Sequence, residues 1–122
     1  DEIMSNKLRI TVGSSSFDAT LEDNETVKAF KKLLPMTVNM PDLNRNEKYY
    51  YLSGSLPTAA SNPGTILTGD LMLYGSNCVV LFYESFSTSY SYTRLGRVNN
   101  SSGLASALGS GSVTVTFELQ KE

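Results

Sequence analysis

Short segments of alternating apolar and polar residues recur along the whole chain and constrain its fold more than any other feature. Residues 8–12 place Leu8, Ile10 and Val12 on one face, with polar side chains between them. A period of two is the spacing of a β-strand with one buried face. Eight strands are therefore predicted, over residues 8–12, 17–22, 36–40, 49–52, 69–75, 78–86, 89–98 and 112–119.

The period changes after the second predicted strand. There the apolar residues lie three or four apart, on one stripe of a helix: Val27, Phe30, Leu33 and Leu34. Asp23 or Asn24 supplies the N-cap, and Pro35 ends the helix. We predict this helix over residues 25–34, with a second short helix near residues 102–108.

The predicted strands outnumber the helices, so the chain is expected to be mainly β. Its 122 residues suit one domain, 1–122, in which residues 1–6 are predicted to form a flexible N-terminal tail. Eight strands in an open sheet would leave two exposed edges, and closure into a barrel removes them. The predicted architecture is a closed barrel of about eight strands, with a short helix over each end.

Composition excludes several kinds of chemistry. The chain has no His, no Trp and a single cysteine, Cys78. Zinc sites and Cys or Ser nucleophiles usually need imidazole or several thiols. Neither a GxGxxG motif nor a P-loop is present. We therefore expect no metal, no cofactor and no catalytic residue of a hydrolase, and we interpret Cys78 as a small buried apolar residue.

Charge and hydropathy say less about partners. The net charge is −2 and the Lys and Arg residues are scattered, which does not favour binding to nucleic acid. No apolar run has the 18 residues that a membrane span needs. The sequence begins at Asp1, so any export signal would lie upstream. The compartment, cytoplasmic or exported, stays open.

Residues 83–96, YESFSTSYSYTRLG, are rich in hydroxyl groups and aromatic rings. Alternation predicts that Tyr90, Tyr92 and Arg94 share one strand face. Two interpretations remain open. The tyrosines simply cover the outside of a barrel strand, or Phe86, Tyr92 and Arg94 line a groove that binds an extended peptide or a small molecule.

Three further features have a structural and a functional interpretation. The run Tyr49-Tyr50-Tyr51 must place rings on both faces of its strand, so at least one ring lies off the core and is a candidate groove wall. Glu84 is a candidate general acid, but no second carboxylate stands at a suitable spacing, which favours an ordinary strand-end charge. Asp70 is interpreted as a turn residue that leads into a strand.

The order of elements is similar to that of the cyclophilin barrel. Residues 95–98, LGRV, resemble the turn that precedes the short helix and last strand of cyclophilins. Four segments resemble a family of small bacterial cyclophilin-like domains of unassigned activity: ATLEDNETVKAFKKLLP, NEKYYYL, GDLMLYGSN and LFYESFSTSYSYTRLGR. The resemblance covers nearly the whole chain and implies a closed cyclophilin-like β-barrel; it implies a fold more firmly than a function.

The resemblance also suggests where a pocket lies, although this sequence departs from the cyclophilin residues. Cyclophilins surround their proline pocket with Arg, Phe, Gln, Trp and His. Here residues 49–51 stand where cyclophilins carry Phe-His-Arg, and Tyr92 falls near the His. Phe82 and Tyr83 correspond to the aromatic pair at the pocket floor. The candidate groove residues are Tyr50, Phe82, Tyr83, Phe86, Tyr92 and Arg94.

Two functions are compatible with these residues. The first is a binding module that holds a peptide or small ligand without covalent chemistry. The second is a peptidyl-prolyl isomerase with a non-standard pocket, in which Arg94 or Arg97 would donate to the imide nitrogen. The missing Arg in the tyrosine strand favours binding. Relatives of the family occur next to flavodoxin-like domains, which suggests such a partner by resemblance alone.

Overall fold

The computed structural model describes residues 5–121, which contain eleven β-strands and two α-helices. The strands are β1 (Lys7–Val12), β2 (Ser15–Leu21), β3 (Met36–Met40), β4 (Asp42–Leu43), β5 (Glu47–Tyr51), β6 (Thr65–Ile66), β7 (Asp70–Tyr74), β8 (Cys78–Phe82), β9 (Phe86–Ser87), β10 (Thr93–Val98) and β11 (Val113–Leu119). The helices are α1 (Glu25–Lys31) and α2 (Leu104–Leu108). None of the described helices is long and apolar enough to cross a membrane.

Nine of the strands form one antiparallel sheet that curls into a nearly closed barrel, in the order β3-β11-β1-β2-β10-β7-β8-β5-β4. The two ends of this sheet, β3 and β4, are separated in the chain by Pro41 alone. The segment 36–43 therefore pairs first with β11 and then with β5, which brings the two edges together. The predicted mainly-β barrel is confirmed, and β6 and β9 pair separately.

Helix α1 begins where the sequence predicts but ends earlier. Asn24 is the N-cap, and its side chain accepts a 2.8 Å hydrogen bond from the Val27 amide. The helix stops at Lys31, and a tighter turn follows. The change of geometry turns Leu33 away from the predicted apolar stripe and leaves it 41% exposed. Phe30 is fully buried, with its ring centroid 6.3 Å from that of Phe117.

Two apolar cores lie on opposite sides of the sheet. The larger fills the barrel, and the smaller lies outside it against β7 and β8. Strand β8 is buried at every position because it faces both cores, as its continuous apolar sequence predicts. The outer core consists of Ile66, Met72, Cys78, Val80, Phe82 and Tyr92, with Tyr49 and Phe86 packed against it.

A buried lysine of β5 connects β4 to the loop between α2 and β11. Lys48 is fully buried, and its Nζ donates to Asp42 Oδ1 at 3.1 Å. The same ammonium donates to the carbonyls of Gly109 and Gly111 at 2.8 and 2.6 Å. The Tyr83 hydroxyl donates to Asp42, and the Lys48 ammonium lies 5.3 Å from the Tyr83 ring centroid. All donors and acceptors of this group are satisfied at once.

Two predicted strands are too long. The strand predicted over 78–86 ends at Phe82, and the strand predicted over 89–98 begins only at Thr93. The residues between them leave the main sheet to cover the outer core. A bulge at Leu95 then shifts the register of β10 on β7. Gly96 is required there, because a Cβ at this position would collide with the Thr20 carbonyl of β2.

The predicted tail, residues 1–6, falls partly outside the described residues, which begin at Ser5. Ser5 is buried and accepts a 2.9 Å hydrogen bond from the Lys7 amide. Asn6 accepts from the Leu21 amide at 2.8 Å and from Lys31 Nζ at 2.6 Å. These bonds hold residues 5 and 6 against β2 and α1.

Candidate functional site

A cavity of about 350 Å³ lies on the outer face of the barrel, beside the outer core. Strands β4, β5, β7, β8 and β9 contribute to it, together with the turn before β5 and the segment before β10. Six of its lining residues are aromatic: Tyr49, Tyr51, Tyr74, Phe86, Tyr90 and Tyr92. The remaining lining residues are Leu43, Asn44, Asn46, Glu47, Cys78 and Val80.

Strand β5 supplies the cavity through its alternation. Glu47, Tyr49 and Tyr51 project from the outer face, whereas Lys48 and Tyr50 belong to the barrel side. Tyr49 lies opposite Val80 in the ladder, and Tyr51 lies opposite Cys78. The rings of Tyr49 and Tyr51 meet edge to face, with centroids 5.8 Å apart.

The segment after β8 closes the other side. Ser61 and Tyr92 exchange two backbone hydrogen bonds of 3.0 and 2.9 Å, and Ile66 pairs with Phe86. These bonds fix an irregular segment over the outer core. Tyr92 is then 95% buried, with its ring centroid 5.6 Å from that of Tyr74.

Glu47 is the ionisable carboxyl group of the cavity. Burial, followed by the negative charge of Asp42, raises its pKa to about 7. Burial also raises the pKa of Cys78 and of Tyr92, and in both cases the charge of Glu47 adds to the increase. The negative charge of Glu47 therefore influences the pKa values of groups on two different parts of the lining, β8 and the segment before β10. Within residues 5–121 it has no ion pair and no side-chain hydrogen bond.

Asn46 adds a second acceptor beside Glu47. It lies in a turn where Asn44 and Arg45 adopt positive φ angles of 56° and 58°. Its backbone is held by the Leu43 carbonyl and by the Tyr83 amide, at 3.2 and 3.0 Å. Its Oδ1 is buried and has no hydrogen-bond partner among the described residues. An acceptor without a donor is unusual in a folded protein.

Only part of the predicted groove comes together. Phe86 and Tyr92 line the cavity. Phe82 is fully buried beneath them, with ring centroids 5.7 Å from Phe86 and 5.5 Å from Tyr92. Tyr50 and Tyr83 belong to the barrel side, because they pack against the inner core rather than the outer one.

Arg94 does not line the cavity. Its guanidinium lies 3.8 Å from Oδ1 of Asp70, which is fully buried, and Arg97 Nε lies 2.7 Å from the same oxygen. Arg94 therefore lies beside Asp70 and outside the cavity in which the sequence predicted it. The other oxygen, Asp70 Oδ2, accepts from the Leu67 amide at 2.9 Å, so the predicted turn role of Asp70 is confirmed.

Several cavity residues were not predicted from the sequence, among them Asn46, Glu47 and Tyr74. A signal for Glu47 was present, because Glu47, Tyr49 and Tyr51 are two residues apart and must share a strand face. Tyr74 carried no such signal. It reaches the cavity because it lies opposite Cys78 in the β7–β8 ladder, and a single sequence does not reveal that register.

The comparisons with known proteins agree with this fold. The solution structure of a hypothetical protein from Archaeoglobus fulgidus is similar to the chain, with a TM-score of 0.71, 20% sequence identity and 98% of each chain covered. That likeness concerns the fold alone. A search of curated proteins finds no significant match. The model of the Cyclophilin-like family matches residues 10–118, nearly the whole chain, and the protein therefore belongs to the Cyclophilin-like family.

Proposed function

We propose that this domain is a non-covalent binding module whose outer cavity takes one small organic molecule or a single side chain of a larger partner. The observation that carries the proposal is the ring of six aromatic side chains around an unfilled space. Tyr51 and Tyr90 stand at its edge with 61% of their surface exposed. Aromatic residues left open to water around a concave site are typical of binding surfaces.

The size of the cavity narrows the ligand. A volume of about 350 Å³ is at the lower end of the range for small-molecule sites, which is roughly 300–1,000 Å³. It suits one compact group rather than a long segment of extended peptide. A peptide partner would insert one side chain here and lie with its backbone across the mouth.

The protonation states of the cavity side chains Cys78 and Tyr92 favour binding without covalent chemistry. Burial raises the pKa of the Cys78 thiol, which keeps it protonated and poorly nucleophilic. Burial likewise raises the pKa of the Tyr92 hydroxyl. Both groups can make hydrogen bonds to a ligand, but neither is activated for attack.

Prolyl isomerisation has weaker support. That reaction needs a cation near the imide nitrogen of the substrate. The described lining of the cavity contains no Lys or Arg, and Arg94 lies with Asp70 instead. The described lining of this cavity therefore offers no cation for the isomerase mechanism.

The proposal is tested by titrating a library of small organic fragments into the protein and following amide NMR spectra. We expect binders to shift the signals of Tyr51, Tyr74 and Tyr90. The variant Tyr51→Ala should weaken binding, because it removes an exposed cavity ring at little cost in stability. Leu33→Ala removes an exposed apolar group outside the cavity lining and is the matched control. Binding confined to other surfaces, or equal in both variants, would refute the proposal.

A further inference from the structure

The cavity also indicates the charge of its ligand. We propose that it selects an organic cation with N–H donors, either a primary alkylammonium molecule or a lysine side chain of a partner protein. This inference rests on the binding function proposed above and names its ligand class. It follows from the charges, the rings and the unpaired acceptors of the lining.

The charged groups around the cavity favour a cation. Glu47 is the charged residue of the described lining, which includes no Lys or Arg. Its neighbour Lys48 projects into the barrel, where three acceptors hold its ammonium. The Arg94 guanidinium lies near the Asp70 carboxylate instead. No positive side chain of the described residues therefore competes with a ligand cation for Glu47.

The rings favour the same sign of charge. The face of an aromatic ring carries partial negative charge and attracts a cation within about 6 Å of its centroid. Tyr74 contacts both Tyr90 and Tyr92, with centroids 6.0 and 5.6 Å away, so several rings border one space. Tyr49 and Tyr51 add a second pair on β5, which lies on the other side of β8 from β7. A carboxylate among such rings is a suitable environment for an ammonium group.

The acceptors distinguish an ammonium with N–H groups from other ligands. The Glu47 carboxylate has no hydrogen-bond partner among residues 5–121, and Asn46 Oδ1 is a buried acceptor without a donor there. A neutral apolar ligand would bury the carboxylate further and leave it unpaired, which is costly. An anion would be repelled by both oxygens. A quaternary ammonium would satisfy the rings and the charge but would donate no hydrogen bond.

Binding of a cation should be coupled to the ionisation of Glu47. Its pKa is about 7, with Asp42 of β4 as the charged neighbour that adds to the effect of burial. Among the other titratable groups of the lining, Cys78 and Tyr92 have raised pKa values, so both stay neutral near pH 7. The remaining titratable groups of the lining are the hydroxyls of Tyr49, Tyr51, Tyr74 and Tyr90. A bound ammonium favours the ionised carboxylate and lowers its pKa. Affinity should therefore rise with pH through about 7.

The test compares butylammonium, tetramethylammonium, butanol and butanoate as probes, by calorimetry or NMR titration. We expect butylammonium to bind most tightly and butanoate least. If the protonated form of Glu47 does not bind, affinity for butylammonium rises up to about tenfold between pH 6 and pH 8. Glu47→Gln should remove this rise and lower the affinity for butylammonium by about fivefold or more. The variant should keep the parent's weak affinity for butanol.

The matched control is Glu84→Gln, which makes the same change of charge at an exposed carboxylate outside the cavity lining. It should leave affinity and its pH dependence unchanged. If Glu47→Gln binds butylammonium as well as the parent does, or if butanol binds as tightly, the cation inference is wrong while the cavity stands. Tighter binding of tetramethylammonium would refute the need for N–H donors. If no probe and no fragment binds, the proposed function itself fails.

Discussion

Glu47 and Lys48 are neighbours in the chain, yet their side chains lie on opposite faces of β5. Nearby oxygens compensate the charge of Lys48, whereas the charge of Glu47 has no such partner among the described residues. The Lys48 ammonium is fully buried and donates to three oxygens at 2.6–3.1 Å. Glu47 faces the outer cavity and has no partner among the described residues. One charge is satisfied within the fold, and the other is left open at a concave surface. Such an uncompensated charge weakens stability and is suited to ligand binding.

The free energy of unfolding should reveal this cost. Glu47 binds its proton more tightly in the folded state, where its pKa is about 7, than in the unfolded state, where it is near 4.5. Stability from this group is therefore lost as pH rises from about 4.5 through 7. Glu47→Gln should be more stable than the parent at pH 8, by about 1–2 kcal/mol after allowance for solvent screening.

Urea denaturation at pH 5 and pH 8 measures this difference, which should shrink at the lower pH. Glu84→Gln serves as the charge-matched control and should show no comparable gain. A Glu47→Gln variant that is less stable than the parent at pH 8 would mean that the carboxylate has a stabilising partner in the folded protein.

Lys48 should behave in the opposite way. Lys48→Met keeps much of the side-chain length but removes the ammonium that donates to Asp42 and to the carbonyls of Gly109 and Gly111. Breaking a buried, hydrogen-bonded charge pair typically costs about 3–5 kcal/mol, and we expect a loss of that size in chemical denaturation. Lys28→Met is the control, since its 2.9 Å ion pair with Glu25 is exposed to solvent and should contribute little to stability. Equal effects of the two variants would contradict a structural role for Lys48.

The strands that the sequence predicted are those with enough residues to display a period. All eight predicted strands correspond to the eight longer strands, whereas the two-residue strands β4, β6 and β9 show no alternation and were missed. The segment before Thr93 alternates in sequence but is not part of the main sheet. Its backbone follows the outer core through Tyr92 and the bridge to Ser61, a long-range contact that local pattern does not record.

The candidate site was predicted in part for the same reason. Phe86 and Tyr92 were found because aromatic residues in a hydroxyl-rich segment are conspicuous. Arg94 was placed with them by assuming a continuous strand, but the bulge at Leu95 and the buried carboxylate of Asp70 determine its surroundings. Tyr74 required knowledge of the strand register.

Phe30, the aromatic residue of α1, should be highly sensitive to truncation of its side chain. It is fully buried and packs edge to face on Phe117 at 6.3 Å. Phe30→Ala should cost about 3–5 kcal/mol in the free energy of unfolding, because it empties a large site in the barrel core. Leu33→Ala, at the exposed end of the predicted stripe, should change it by less than about 0.5 kcal/mol. A parent-like melting curve for Phe30→Ala would show that this packing is absent in solution.

The last prediction separates the two arginines that flank Asp70. Arg97 Nε is 2.7 Å from Asp70 Oδ1, whereas the Arg94 guanidinium is 3.8 Å away. Arg97→Ala should therefore destabilise the protein by about 1–3 kcal/mol, because Asp70 is fully buried and loses its direct donor. Arg94→Ala should stay within about 0.5 kcal/mol, since the bond from Asn24 Nδ2 to its backbone carbonyl is retained.

Both variants should bind butylammonium as the parent does, because neither side chain lines the cavity. In a cis-peptide assay we expect no acceleration of prolyl isomerisation by the parent, since Arg94 is engaged by Asp70 and the described cavity offers no other cation. Acceleration by the parent that Arg94→Ala abolishes would reverse this assignment: Arg94 would then act on the substrate, and the isomerase function would replace simple binding.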